Sequence, residues 1–321
     1  MSIISKDVAK AVSLLKQEEL VAIPTETVYG LAGNIFSSTA INAIFKTKAR
    51  PFFNPLIVHI SSIQYLDTIA SAVPKKAKLL AEAFWPGPLT LVLPKQSHIP
   101  DLITAGKPTV AVRIPNHPLT LELLRQLDFP LAAPSANPFT SISPTSAKHV
   151  EQYFKDKIKM VLDGGNCESG IESTIIGFED QVPVIYRLGS TPLEAIEAVV
   201  GKLDLKHYTK NPPDAPGMLA RHYAPKTLSL MSNNLNASIE QYKGKRIGVL
   251  AFREVPEDDA VTFKIILSAK GSLEEAGKNL YDALHQLDRE KLDVIIVESL
   301  PNYGLGKSIN DRLTRATTRK N

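Results

Sequence analysis

The chain has 321 residues, 44% hydrophobic and 22% charged, with a formal net charge of +4. That length suits two domains and that apolar fraction builds real cores, which excludes a disordered or fibrous chain. The mild basic excess does not by itself point to nucleic acid, the single Cys167 excludes a disulfide framework or cysteine-based zinc site, and no apolar run is long enough to span a membrane.

The N-terminus, MSIISKDVAK, has no basic region followed by an apolar segment, so no secretory signal is expected and a reducing, cytoplasmic setting is the default. Helical spacing of Val8, Val12 and Leu15 predicts a first helix, with Ser5 as its cap. A strand LVAI (20–23) follows. It runs into IPTETVYGLAGN (23–34), where Thr25, Glu26 and Thr27 stand in a row at the end of an apolar run. A core edge does not explain that row.

STAINAIFKTK (38–48) predicts a second helix. Strands are expected at LIVHI (56–60), LTLVL (89–93), TVAVRI (109–114), PLAAPSA (130–136), KMVLDG (159–164), STIIGF (173–178) and VPVIYRL (182–188). PLTLELLRQL (118–127) and SAKHVEQYF (146–154) read as helices between them. In TPLEAIEAVVG, Thr191 caps, Pro192 takes the first helical position, Glu194 completes a capping box and Gly201 ends the helix. Crossover helices and hairpins together predict an α/β fold with a mixed sheet.

Between Leu203 and Thr227 the prolines at 212, 213, 216 and 225 predict a linker without regular structure. A smaller βαβ-like unit follows. It has a strand KRIGVLAF (245–252), a helix opened by a Ser272/Glu275 capping box, a buried strand LDVIIVESL (292–300) and a basic helix and tail from Gly306.

PNYGLGKS (301–308) imitates the end of a phosphate-binding loop. Its leading glycine position is Pro301, which has no N–H to offer, so a helix-entry loop is the better reading. The first 200 residues are more suggestive. Polar or basic residues recur at the ends of predicted strands: Thr25 to Thr27, His59, Arg113, Ser135 and Asn137, Ser173 and Thr174, and Arg187. Ligands of open α/β sheets gather at strand ends. KTKARPFFNPL adds Lys46, Lys48 and Arg50, with Lys48 and Arg50 sharing a face if that segment is extended. An arginine within a strand needs a partner. A polyphosphate is one; internal salt bridges to Glu26, Asp163 or Glu172 are the other. No His/Asp/Glu group has metal-ligand spacing, so any magnesium would ride on nucleotide phosphates. Cys167, in a glycine-rich loop, reads as an incidental thiol.

Taken together, IPTETVYGLAGN, KARPFFNPLIVHI, FWPGPLTLVL, TVAVRIPNHP, APSANPFTSISPT, GIESTI and YRLGS resemble, in order and spacing, the YrdC-like domain. APGMLARHYAP and GLGKSINDRLTRA are similar to the linker and C-terminal end of the two-domain threonylcarbamoyl-AMP synthase family. That resemblance implies a YrdC-like twisted mixed sheet with flanking helices over residues 1–206, a proline-rich linker and lid over 207–227, and a smaller Rossmann-like α/β domain over 228–321.

The implied reaction joins L-threonine, bicarbonate and ATP into threonylcarbamoyl-AMP and pyrophosphate. A downstream transferase would use the product to modify tRNA beside the anticodon. The implied threonine pocket is Thr27, His59, Arg113, Ala133 and Ser173. The implied nucleotide site is Lys48, Arg50, Asn54, Thr109, Ser135, Ser143, Arg187 and Tyr223, with Lys48, Arg50 and Arg113 nearest the chemistry. Mg2+ would come with the ATP phosphates. The resemblance also implies weak contact with RNA and no membrane partner. A non-catalytic RNA-binding module predicts no need for threonine, and a hydrogenase-maturation carbamoyltransferase needs cysteine-rich zinc modules that one cysteine cannot make.

Overall fold

A computed structural model describes residues 3–206, 215 and 221–318. The strands of the first sheet are β1 (Ile3–Ser5), β2 (Val21–Ile23), β3 (Gly30–Asn34), β4 (Ile57–His59), β5 (Leu89–Pro94), β6 (Thr109–Arg113), β7 (Leu131–Ala132), β8 (Met160–Leu162), β9 (Thr174–Glu179), β10 (Val182–Arg187) and β11 (Asp204–Leu205). Their spatial order is β1-β8-β2-β3-β7-β4-β6-β5-β9-β10-β11, with parallel and antiparallel neighbours mixed, the twisted mixed α/β sheet that the motifs imply.

One face is covered by helices Ser38–Lys48, Lys75–Phe84, Ala147–Phe154 and Leu193–Val200, whose apolar stripes bury Ile41, Ile44, Leu80, Val150 and Ile196 against it. Among the described residues, helices cover the opposite face only in part. Helices Val8–Lys16 and Pro118–Arg125 pack on Val21, Ile23, Met160 and Leu162. Beyond them, over β4, β6, β5 and β9, the face carries a small cluster of Ile57, Val92, Ala111, Ile175 and Tyr186. That gap in the helical cover is where a ligand cavity can form.

A second sheet holds β12 (Ser229–Ser232), β13 (Ile247–Ala251), β14 (Val261–Ile266) and β15 (Val294–Glu298), all parallel, in the order β12-β15-β13-β14. Helix Leu235–Gln241 covers one face. Helices Leu273–Arg289 and Leu305–Thr317 cover the other. This second core continues into the first part of the chain, taking in Val28, Ile142, Ile171 and the linker residue Tyr223. Gly170 permits that approach, and Gly189 permits another within the first unit. A Cβ on Gly170, at φ +73°, would lie 2.5 Å from backbone of Gly277 and Lys278, and one on Gly189 would lie 2.4 Å from the chain at Glu172 to Thr174.

Several expectations at element ends need correction. Ser5 belongs to β1, and Asp7 caps the first helix by accepting from the Lys10 N–H at 2.9 Å. Thr191 does not cap: its hydroxyl donates to the Pro88 carbonyl at 3.0 Å, and Pro192 takes the cap position without a side-chain bond. Ser272 does accept from the Glu275 N–H at 3.1 Å, but the Glu275 carboxylate turns to the Ser268 hydroxyl, so only half of that capping box forms. PLAAPSA is strand only at Leu131–Ala132, and within the supposed linker Asp204–Leu205 pairs with β10. Residues 207–214 and 216–220 of the linker lie outside the described residues. No helix among the described residues is long and apolar enough to cross a membrane.

Candidate active site

A cleft opens on the part of the first sheet that no helix among the described residues covers. Its base follows from strand register. β4 and β6 run parallel with His59 opposite Arg113 and Ile57 opposite Ala111. The two-residue period then turns both His59 and Arg113 to the face that carries the Ile57 and Ala111 cluster.

Arg113 is 3% exposed. Its Nη2 donates to Glu26 Oε1 at 2.5 Å and its Nη1 to Thr27 Oγ1 at 3.1 Å, while Nε has no partner among the described residues. Glu26 Oε2 accepts from the Asn116 N–H at 2.9 Å. Thr25 Oγ1 closes the turn by donating to the Val28 carbonyl at 2.7 Å, and it lies 2.8 Å from Thr27 Oγ1. The Thr25-Glu26-Thr27 row is therefore a cradle that aims Arg113 at the cleft.

His59 Nδ1 lies 3.2 Å from the Ile57 carbonyl. A carbonyl only accepts, so Nδ1 carries the proton and Nε2 is left as an acceptor. Burial, and next the charge of Arg113, pushes the His59 pKa down to about 3, so the ring is neutral at pH 7.

Across the cleft, β10 carries one extra residue between Ile185 and Arg187 in its pairing with β9. Such a bulge re-aims the side chains beside it. Arg187 Nε and Nη2 both donate to the Ser173 carbonyl, at 3.2 and 2.7 Å, and Nη2 lies 3.2 Å from Ser173 Oγ, which also meets Thr90 Oγ1 at 2.8 Å.

Lys48 and Arg50 do not share an extended face. Lys48 ends a helix, Ala49 takes φ +50°, and the chain turns before Arg50. Lys48 Nζ is buried between the carbonyls of Ser135 and Asn137, beneath the cleft. Arg50 lines the cleft, with Nη2 on the Pro55 carbonyl at 2.8 Å and Nε on the Asn54 carbonyl at 3.2 Å. Burial, then the charge of Arg187, lowers Arg50 to about 9, which leaves it charged at pH 7.

Thr27, Arg50, His59, Arg113, Ala133 and Ser135 thus line one cleft, with Ser173, Arg187 and Tyr223 completing its wall. Lys48, Asn54, Ser143 and Thr109 are not among its lining residues. Asn54 lies directly behind Arg50, fully buried, and neither polar atom of its side chain has a hydrogen-bond partner among the described residues. Ser143 donates to Glu172 Oε1 at 2.6 Å. Thr109 opens β6 at the end opposite Arg113, about 13 Å away along the strand at ~3.3 Å per residue.

Sequence reasoning missed His222, which lines the cleft beside Tyr223, and every contribution from the C-terminal unit. The guanidiniums of Arg312 and Arg315 lie over the Tyr223 ring, at 5.0 and 4.8 Å, and the ring stacks on Tyr281 at 5.7 Å. Its hydroxyl and His222 Nδ1 are buried with no hydrogen-bond partner among the described residues. Burial, then Arg315, holds His222 well below its usual pKa, hence neutral. Ser308, in the segment that imitates a phosphate loop, donates to the Gly189 carbonyl at 2.8 Å, so it docks the last helix on the first sheet.

The cleft is rich in cations. Arg50, Arg113 and Arg187 line it, the lining carboxylate Glu172 engages Arg312, and Glu26, outside the lining, engages Arg113. A surplus of buried guanidinium groups favours an anionic ligand. Among the described residues no group of three or more His, Cys, Asp or Glu could hold a metal ion.

Comparison with known proteins bears on this geometry. Residues 13–189 match the family model described as Telomere recombination, and residues 191–318 match that of the threonylcarbamoyl-AMP synthase C-terminal domain. The chain is 40% identical to the threonylcarbamoyl-AMP synthase of Pyrococcus abyssi over 96% of its own length and 93% of that protein's. It is likewise 40% identical to that of Bacillus subtilis, over 96% and 92%. The chain belongs to the threonylcarbamoyl-AMP synthase family. A crystal structure of P. abyssi Sua5 complexed with L-threonine superposes with a TM-score of 0.92 at 38% identity, covering 98% of each chain. Membership in the threonylcarbamoyl-AMP synthase family makes this chain a nucleotide-using enzyme with two α/β sheets.

Proposed function

We propose that this chain condenses L-threonine, bicarbonate and ATP into threonylcarbamoyl-AMP and pyrophosphate, with both substrates held in the cationic cleft. The observation that carries this reading is the pairing of two unlike sets of side chains. Arg113 stands with the Thr27 hydroxyl and the neutral His59 imidazole, and Arg50 and Arg187 stand within reach of each other's charge beside Tyr223.

Arg113 takes the threonine carboxylate in this reading. Thr27, His59 Nε2, the backbone at Ala133 and Ser173 take its amino and hydroxyl groups. Arg50, Ser135, Arg187 and Tyr223 contact the nucleotide, with Lys48, Asn54 and Ser143 fixing that set from behind. Thr109 belongs to the proposed nucleotide set on resemblance alone, since it lies at the far end of its strand.

The neutral amine of threonine adds to carbon dioxide with loss of a proton, or to bicarbonate with loss of water, to give a carbamate. A carbamate oxygen then attacks the α-phosphorus of ATP and pyrophosphate leaves. Two anions meet in that step, so fixed guanidinium groups that need no reorganisation are the protein's chief contribution. The residues present suit a magnesium ion carried in by the phosphates, because both nearby carboxylates already hold arginines. Such an ion would neutralise charge on the leaving pyrophosphate.

The same reading divides the chain into a catalytic domain (1–206), a lid-forming linker (207–227) and a C-terminal domain (228–321). It assigns the product to a tRNA-modifying transferase downstream, gives RNA at most a weak direct contact, and sets the chemistry in the cytoplasm. Calorimetric titration of the purified chain with amino acids tests the pocket. Saturable binding of L-threonine, weakened at least tenfold for L-valine, is expected from hydroxyl recognition. Equal affinity for both would refute the proposed threonine subsite.

A further inference from the structure

Glu172 precedes Ser173 and is the point where the C-terminal unit reaches the cleft. Its side chain is 8% exposed. Oε1 accepts from the Ser143 hydroxyl at 2.6 Å and Oε2 from the Tyr281 hydroxyl at 2.9 Å and from Arg312 Nε at 2.8 Å. Arg312 is fully buried. Its Nη2 donates to the Leu188 carbonyl at 2.7 Å, next to Arg187, and its Nη1 to Asp311 at 2.6 Å. The same guanidinium faces the Tyr223 ring. One side chain from the last helix therefore touches the Glu172 carboxylate, the backbone beside Arg187 and the aromatic wall of the cleft.

We propose that Arg312 is a positioning residue for the nucleotide side of the cleft, neutralising Glu172 so that Arg187 stays directed at the ligand, and bracing Tyr223 over it. This inference rests on reading the cleft as the site of adenylate formation. The physical reason is competition. Burial disfavours a charged carboxyl at Glu172, and the charges of Arg312 and then Arg187 outweigh burial and keep it ionised. Without Arg312, the charge that still acts on that carboxylate is that of Arg187. A guanidinium committed to Glu172 has fewer donors for phosphate oxygens. Lysine at 312 would keep the charge but lose the fork that spans Glu172 and the Leu188 carbonyl.

The test uses the full-length chain and reads pyrophosphate release against ATP and threonine separately, from pH 6 to 9. Arg312→Met is expected to raise the KM for ATP at least tenfold and the KM for threonine less than threefold. In that variant the orphaned Glu172 carboxyl titrates at a higher pH, so the ATP defect should shrink as pH falls. The unaltered chain should show no such recovery. Arg312→Lys should fall between. Glu172→Gln/Arg312→Met, with neither charge left, should return the KM for ATP to within threefold.

A folded Arg312→Met variant with both KM values unchanged, or both raised equally at every pH, would overturn the inference. Should Arg312→Met not fold, the double variant and Arg312→Lys carry the test: a double variant outside threefold, or an Arg312→Lys variant with unaltered ATP kinetics, overturns it. Calorimetric ATP affinities give the same comparison without turnover. An unaltered chain that binds ATP but makes no threonine-dependent product would refute the proposed function while leaving the affinity comparison decisive; one that binds no ATP refutes both.

Discussion

Glu26 and Arg113, 87 residues apart, form a buried ion pair at 2.5 Å in which the arginine keeps Nε without a partner. The pair holds the turn at Glu26 to β6, and the proposed function adds recognition of threonine; the two can be separated. Arg113→Met leaves Glu26 buried without its cation, which should cost about 3–5 kcal/mol of unfolding free energy. Glu26→Gln/Arg113→Met should recover most of that loss in denaturant titrations. Neither variant should bind threonine within a hundredfold of the unaltered affinity. Recovered binding in the double variant would remove Arg113 from recognition.

Tyr223→Phe deletes a buried hydroxyl that has no hydrogen-bond partner among the described residues. Such a deletion should leave stability unchanged or raise it by up to ~1 kcal/mol, because an unsatisfied polar group is removed. ATP use should nevertheless fall several-fold if that hydroxyl meets the nucleotide. Denaturation and steady-state kinetics on one preparation measure both. Loss of stability with intact kinetics would make Tyr223 a packing residue only.

The histidines set an acid limit. Burial first, then Arg113 beside His59 and the His149 ring beside His285, depresses the two to about 3. The unfolded chain binds protons at these sites below about pH 6.5, and the folded chain does not until about pH 3. Stability is therefore full above pH 6.5 and falls with decreasing pH through that window, by about 1.4 kcal/mol per pH unit for each group. His285→Gln should flatten the slope of unfolding free energy between pH 6 and 4 by roughly that amount. An unchanged slope would show that His285 titrates normally.

Arg50→Ala and Ser173→Ala should part the two subsites. Loss of one preorganised donor costs about 3–4 kcal/mol of barrier, so Arg50→Ala should lower turnover by two to three orders of magnitude and weaken ATP. Ser173→Ala should mainly raise the KM for threonine, by roughly tenfold, the size of one neutral hydrogen bond. Calorimetry on both variants with both substrates separates the effects, and interchangeable phenotypes would contradict the two-subsite reading.

Most of the first sheet was legible because its strands alternate or run apolar between turn residues, as TVAVRI and STIIGF do. β3 was hidden by its glycines, and helix Lys75–Phe84 by a cap position filled by Pro74, which offers no side-chain acceptor. The strand-end residues marked the right regions, yet periodicity gave no sign that six such ends converge. Lys48 and Arg50 misled because the left-handed turn at Ala49 leaves no hydrophobic signature. The link from Glu172 to Arg312 spans 140 residues, and local pattern carries no information about a contact of that separation.

The central claim is that one cleft joins threonine, bicarbonate and ATP. Its most direct test is pyrophosphate release by the purified full-length chain, with each substrate omitted in turn and the nucleotide product identified by mass. Release should require all three together with magnesium, and the product should carry the mass of threonylcarbamoyl-AMP. Equal release without threonine, or AMP as the sole nucleotide product under every condition, would contradict the account.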